Sequence, residues 1–156
     1  MKSLTLFRHA KTERDSTSGR DFDRRLNDRG ERDAPKVGEE IRKLGLDYDL
    51  VLSSPAARAA ETAELAGLAP RYDQRIYDAS AGELLAILQE ADNEVQRLLM
   101  IGHNPGFERL ASRLLGANFE MPTGSLLEIE LPVDHWRDAG TVQGRLARFI
   151  KPKELA

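Results

Sequence analysis

Arg8 and His9 stand side by side at the end of a short apolar run, Leu4-Thr5-Leu6-Phe7, and His103 ends another, "RLLMIGHNP". A third run, "YDLVLSSP", is soon followed by Arg58. A neutral imidazole, with an ordinary pKa near ~6.5, is a nucleophile at neutral pH and afterwards a leaving group. Guanidinium groups fork onto the oxygens of an anion. Two imidazoles with two guanidiniums suit a phosphate-sized oxyanion and phosphoryl transfer, which asks chiefly for positioning and for donors on the equatorial oxygens. The histidines and acids lack metal spacings such as HExxH or an EF-hand loop, so no metal is expected. The chain has no cysteine, which excludes disulfides, thiolate metal sites and a cysteine nucleophile.

These residues act together only if the fold gathers them. Apolar runs too short for helices and bounded by polar residues read as buried strands, and ligands of open α/β sheets bind beyond the strands' carboxyl ends. Each of the three runs delivers a cation or an imidazole at that end. The second continues into "PAARAAETAELAG", an alanine-rich helix opened by Pro55 and closed at Gly67, and the third into "PGFERLASRLLG", ended by Gly116. Helix N-termini, with unpaired N–H groups and a positive dipole end, suit the same anion. Helical spacing recurs in Ala34, Val37, Ile41 and Leu44, and again in Leu84, Leu85, Leu88 and Ala91. Strands alternating with helices predict an α/β fold with a mostly parallel sheet. Near the end, "SLLEIEL" and "TVQGRLARF" predict an antiparallel hairpin with one exposed face across a polar turn. The charged stretch Glu13 to Gly30 reads as a surface loop near the first strand's exit.

At 156 residues without a repeat or a composition break, the chain reads as one domain, 1–156. Its net charge of -3 advertises neither nucleic acid nor an anionic membrane, although local patches remain open. No apolar run approaches the ~20 residues of a membrane span, and "MKSLTLF" lacks a signal-peptide core, so a cytoplasmic protein is expected.

The motifs "FRHAKTE", "SSPAARAAET" and "IGHNPG" resemble, in order, those of the histidine phosphatase superfamily. "RHA" in place of the usual "RHG", together with "LNDRGERDAP" and "RFIKPKEL", is similar to its phosphohistidine phosphatase (SixA-like) branch. The resemblance implies a three-layer α/β/α, phosphoglycerate mutase-like fold and a metal-independent hydrolase without cofactor. His9 would be the phosphorylated nucleophile, with Arg8, Arg58 and His103 holding the phosphate. The implied partner is a phosphohistidine-containing protein, a phosphotransfer or phosphocarrier protein, with inorganic phosphate as product. Ala10 in place of the superfamily's glycine implies no need for positive φ there.

The leaving group's proton donor stays open. Asn104 stands where one branch of the superfamily has an aspartate after the second histidine. Another branch uses a glutamate for which Glu83 is the nearest counterpart, but "SAGE" also reads as a capping box, Ser80 with Glu83. Asp15, Asp21 and Asp23 are further candidates. Ser53 and Ser54 read as strand-end and capping hydroxyls, since no G-x-S-x-G surrounds them. His135 reads as surface, Asn104 as a helix cap, and Tyr77 and Trp136 as packing residues. Without the insertions of longer mutases and phosphomonoesterases, an open site admitting a protein side chain is expected. A phosphatase of small phosphate esters and a non-catalytic phosphate-binding module are the alternatives.

Overall fold

The three apolar runs lie side by side in a computed structural model, which describes residues 1–156. They form β1 (Lys2–Arg8), β2 (Leu50–Ser53) and β4 (Arg97–Gly102), joined by a short edge strand, β3 (Arg71–Tyr72), and by β5 (Leu126–Leu131) and β6 (Arg145–Ile150). The sheet order is β3-β2-β4-β1-β5-β6. The first four strands run parallel, and β5 and β6 are antiparallel to their neighbours.

Four helices, α1 (Asp28–Lys43), α2 (Ala57–Leu65), α3 (Ala81–Gln89) and α4 (Gly106–Leu115), cover both faces. The period of two along the strands divides the core. Leu4, Leu6, Leu98 and Met100 pack with Leu84 and Leu88 of α3 and Phe107 and Leu110 of α4. Phe7, Leu99 and Ile101 pack on the other face with Val37 and Ile41 of α1 and Ala59 and Ala63 of α2. Burial on both faces is why these strands are written as unbroken apolar runs, and the result is a three-layer α/β/α architecture.

Several local expectations change. The C-terminal pair is antiparallel as expected, but β5 has no exposed face: it lies between β1 and β6, and Glu128 is buried among Ser3, Arg97 and Arg148. The exposed positions belong to the edge strand β6. The link between them is more than a polar turn, since it carries Trp136, fully buried in the core with its indole N–H donated to Val95 O at 2.8 Å. Helix α1 starts at Asp28, earlier than its apolar spacing suggests, because the Asn27 side chain accepts from Gly30 N–H. The stretch from Glu13 is folded rather than loose: Thr12 bridges to Leu26, and Asp21–Asp23 form a 3-10 turn.

Candidate active site

The strand order brings the ends of β1, β4 and β2 together. Arg8 N–H donates to Ser125 O at 3.0 Å, and His9 N–H donates to Gly102 O at 3.1 Å. His9 O accepts from Gly124 N–H at 2.8 Å. The backbone of the Arg8-His9 pair is thus fixed from both neighbouring strands. Ala10 is fully buried with Leu26 and Ala34, does not take a positive φ, and donates its N–H to Thr62 Oγ1 at 3.1 Å. Thr62 Oγ1 in turn donates to Arg58 O at 2.7 Å, so the segment after His9 is tied to the helix that carries Arg58.

His9 and His103 face each other with ring centroids 5.2 Å apart. His9 Nδ1 lies 2.8 Å from Ala10 O. A carbonyl only accepts, so Nδ1 carries the proton, and Nε2 keeps a lone pair that no protein group engages. His103 Nε2 meets Ser54 Oγ at 2.8 Å, and that oxygen already accepts from Ala56 N–H. In the tautomer in which the Ser54 hydroxyl donates to Nε2, the imidazole proton sits on Nδ1. His103 Nδ1, Arg8 Nε and Arg58 Nε have no acceptor in the protein. Asn104 Oδ1, an acceptor, is likewise without a partner. Buried donors are ordinarily paired, so the two arginine Nε–H groups on residues lining one pocket, with the imidazole of His103 beside them, suit an anion there.

That pocket is a cavity of about 570 Å³ lined by 12 residues, none hydrophobic. Arg8, Lys11, Arg14, Arg24 and Arg58 supply its positive charge against one carboxylate, Glu13. Burial first, then the charges of Arg58 and Arg8, push the His9 imidazole down to about 3. Burial, followed by the influence of His9 and Arg58, lowers His103 to about 3 as well. Both rings are therefore neutral at pH 7. Arg58 donates from Nη1 to Asp21 O at 2.9 Å and from Nη2 to Asp21 Oδ2 at 3.1 Å, while Tyr77 Oη donates to the same carboxylate oxygen at 2.8 Å. Burial alone would raise the Asp21 carboxyl. Tyr77, Arg58 and Arg24 outweigh it and hold it at about 2, which makes Asp21 an anchor for Arg58 and no proton donor at neutral pH.

Arg8, His9, Arg58 and His103 all line this cavity. Glu83 does not. Its Oε1 accepts from Ser80 N–H at 2.9 Å in a complete capping box, and the two hydrogen bonds from Ser80 lower its pKa. Asp15 and Asp21 border a neighbouring recess, and Asp23 accepts from Ser18 Oγ at 2.7 Å. Asn104 is not the cap of α4: Pro105 takes that place, and the Asn104 side chain donates to Met121 O at 3.0 Å from the pocket wall. Tyr77 does more than pack, lying edge-on to His103 with centroids 5.7 Å apart. Lys11, Arg14, Arg24 and Asn27 were not singled out by sequence reasoning. Lys11 falls inside "FRHAKTE" and Asn27 inside "LNDRGERDAP", whereas the only sign of Arg14 and Arg24 is the density of charge after the first strand.

The model of the histidine phosphatase superfamily (branch 1) matches residues 4–120. An uncharacterized chloroplastic protein of Arabidopsis thaliana is 31% identical over 92% of this chain and 72% of its own length. A structure from Agrobacterium tumefaciens, provisionally named a phosphohistidine phosphatase SixA, is 28% identical, covers 97% of this chain and 98% of its own, and superposes with a TM-score of 0.82. A structure of the protein histidine phosphatase SixA complexed with tungstate is 22% identical over 97% of this chain and 98% of its own, with a TM-score of 0.83.

Proposed function

The chain belongs to the histidine phosphatase superfamily, in its SixA-like part, and from that premise we propose that it hydrolyses phosphohistidine on proteins through a phosphoryl group carried on His9. The observation that carries this reading is the uncommitted Nε2 of a neutral His9 whose Nδ1 proton is held by Ala10 O. Nε2 attacks phosphorus in line, forming a P–N bond as the P–N bond to the substrate imidazole breaks. Arg8, Arg58 and the Nδ1–H of His103 stabilise the equatorial oxygens. The departing imidazole takes its proton from solvent, which is enough for a leaving group whose conjugate acid has a pKa near ~6.5. Water then attacks the phosphoryl group on His9, releasing inorganic phosphate and the free imidazole.

The substrate preference rests on acids. An alkoxide leaving group calls for a positioned acid worth ~10² to 10⁴ in rate. Glu83 caps a helix and Asp21 is ionised, so neither serves an ester well. Glu13, which lines the cavity, favours the second reading, a small-ester phosphatase. Tungstate, bound by a structural relative, is tetrahedral like phosphate and agrees with an oxyanion at the present pocket. Turnover measured side by side on a phosphohistidine peptide, a phosphoserine peptide and 3-phosphoglycerate, with and without a chelator, separates the readings. Phosphohistidine should lead and the chelator should have no effect. Quenched wild type should gain a phosphoryl mass that His9→Ala lacks, and appreciable turnover by His9→Ala would refute the covalent route.

A further inference from the structure

Beyond the groups that would hold the transferred phosphoryl, the cavity continues along a second pair of cations. Lys11 and Arg14 line it, both are exposed, and neither meets a carboxylate in an ion pair. Arg24 differs, being committed to Asp21 Oδ1 at 2.9 Å and to Thr12 Oγ1 and Glu13 O at 3.1 Å.

The backbone that presents the pair is held firmly. Asn27 N–H donates to Lys11 O at 3.0 Å and Glu13 N–H to Arg25 O at 2.9 Å. Gly30 permits the closeness, because a Cβ there would sit 2.1 Å from Lys11 O. The N-terminal turn of α1 is therefore docked beneath Lys11, and its positive dipole end adds to the field.

A cavity of about 570 Å³ is far larger than a phosphoryl group needs, given that a water occupies about 30 Å³ in the liquid. With no hydrophobic residue lining it, the excess offers nothing to an apolar leaving group. The cavity also runs on into a recess of about 280 Å³ that shares Arg14 and Arg24 with it and adds Arg20, with Asp15 and Asp21 on the same wall, Asp21 being already paired with Arg24 and Arg58. A small dianion would use only the inner end of such a cavity, whereas a protein surface spans it. On a chain of net charge -3, this local field is what would draw an acidic partner in and orient it.

We propose that Lys11 and Arg14 form a second anion subsite that receives carboxylate side chains flanking the phosphohistidine of the partner protein. The proposal rests on the phosphohistidine reading above and adds to it a choice among phosphohistidine proteins: the enzyme selects those with acidic surroundings.

The test compares two phosphohistidine peptides, flanked by glutamates or by glutamines, with inorganic pyrophosphate as a third substrate. Wild type should prefer the glutamate peptide by about tenfold in kcat/KM, through KM, as two partly screened ion pairs supply. The preference should shrink with added salt. Lys11→Glu with Arg14→Glu should turn it toward a lysine-flanked peptide, whereas Arg113→Glu on α4 should leave it unchanged. Circular dichroism checks the fold of each variant. Equal rates on both peptides in wild type would overturn the subsite while leaving the phosphohistidine reading intact. Turnover of neither peptide would overturn that reading and the subsite with it. Dependence on Lys11 and Arg14 for pyrophosphate but not for the glutamate peptide would make the second anion a phosphate and overturn the carboxylate assignment.

Discussion

Arg58 illustrates how much of one residue's role depends on its neighbours. Two of its nitrogens are spent on Asp21, leaving Nε as the unpartnered donor, and Tyr77 sits under the guanidinium at 5.9 Å while sharing the same carboxylate. Removing the charge and removing the anchor should therefore differ in size. Arg58→Ala removes the guanidinium from the pocket wall and should cost about 10² to 10³ in kcat. Asp21→Ala keeps the donor but loosens it, and should cost about tenfold or less, mostly in KM. Steady-state kinetics of both variants check the order; an equal or larger loss for Asp21→Ala would assign Asp21 a direct part in the chemistry. Arg8, His9, Arg58 and His103 were legible in the sequence because each ends or soon follows a recognisable strand and so has a predictable place. Lys11, Arg14 and Arg24 were not. Which members of a crowded charged stretch face inward depends on a bridge between Thr12 and Leu26 and on the docking of α1, and no local pattern encodes these tertiary facts.

At the scale of elements, the site depends on how closely α4 approaches β4. A Cβ on Gly102 would lie 2.6 Å from Phe107 Cζ and 3.1 Å from Ile76 Cγ2. Gly102 also supplies the carbonyl that holds His9 N–H, so the same residue seats a helix and fixes the nucleophile's backbone. Gly102→Ala should cost about 1 to 3 kcal/mol of stability by overpacking. It should also lower turnover at temperatures where the variant is fully folded. Thermal melting with kinetics well below the transition tests both, and unchanged turnover would show that the strand end absorbs the strain. The strands and helices of this region were legible because burial on both faces writes itself as apolar runs and helical spacing. The exposed face expected of β5 was a misreading with a physical cause: glutamates alternating with leucines imitate a solvated face, yet Glu128 meets Arg148 and Ser3 beneath the sheet. The short β3 has too few residues to carry a period.

For the whole molecule, the two histidines couple the site to stability. Their folded pKa values are pushed down to about 3, while the unfolded chain binds protons near ~6.5. Between those values the unfolded state holds more protons than the folded one. Acidification through that window therefore destabilises the fold, and above ~6.5 the two histidines add no slope. Denaturant midpoints should fall as pH is lowered from 7.5 to 5, and the fall should be shallower in a His9→Gln variant or with saturating phosphate. A slope identical in wild type and variant would mean that His9 is not held neutral by the fold.

The burial of Trp136 makes that measurement simple to read. It is the sole tryptophan, fully enclosed, and its indole N–H meets the carbonyl of Val95 just ahead of β4, whereas His103 follows the other end of that strand. A strand of 6 residues spans this gap, which at ~3.3 Å per residue is about 20 Å. The molecule thus carries an intrinsic fluorophore that reports on global unfolding and is optically deaf to its own active site: emission shifts to the red only when the core opens, and titrating phosphate into the folded protein leaves the spectrum where it was.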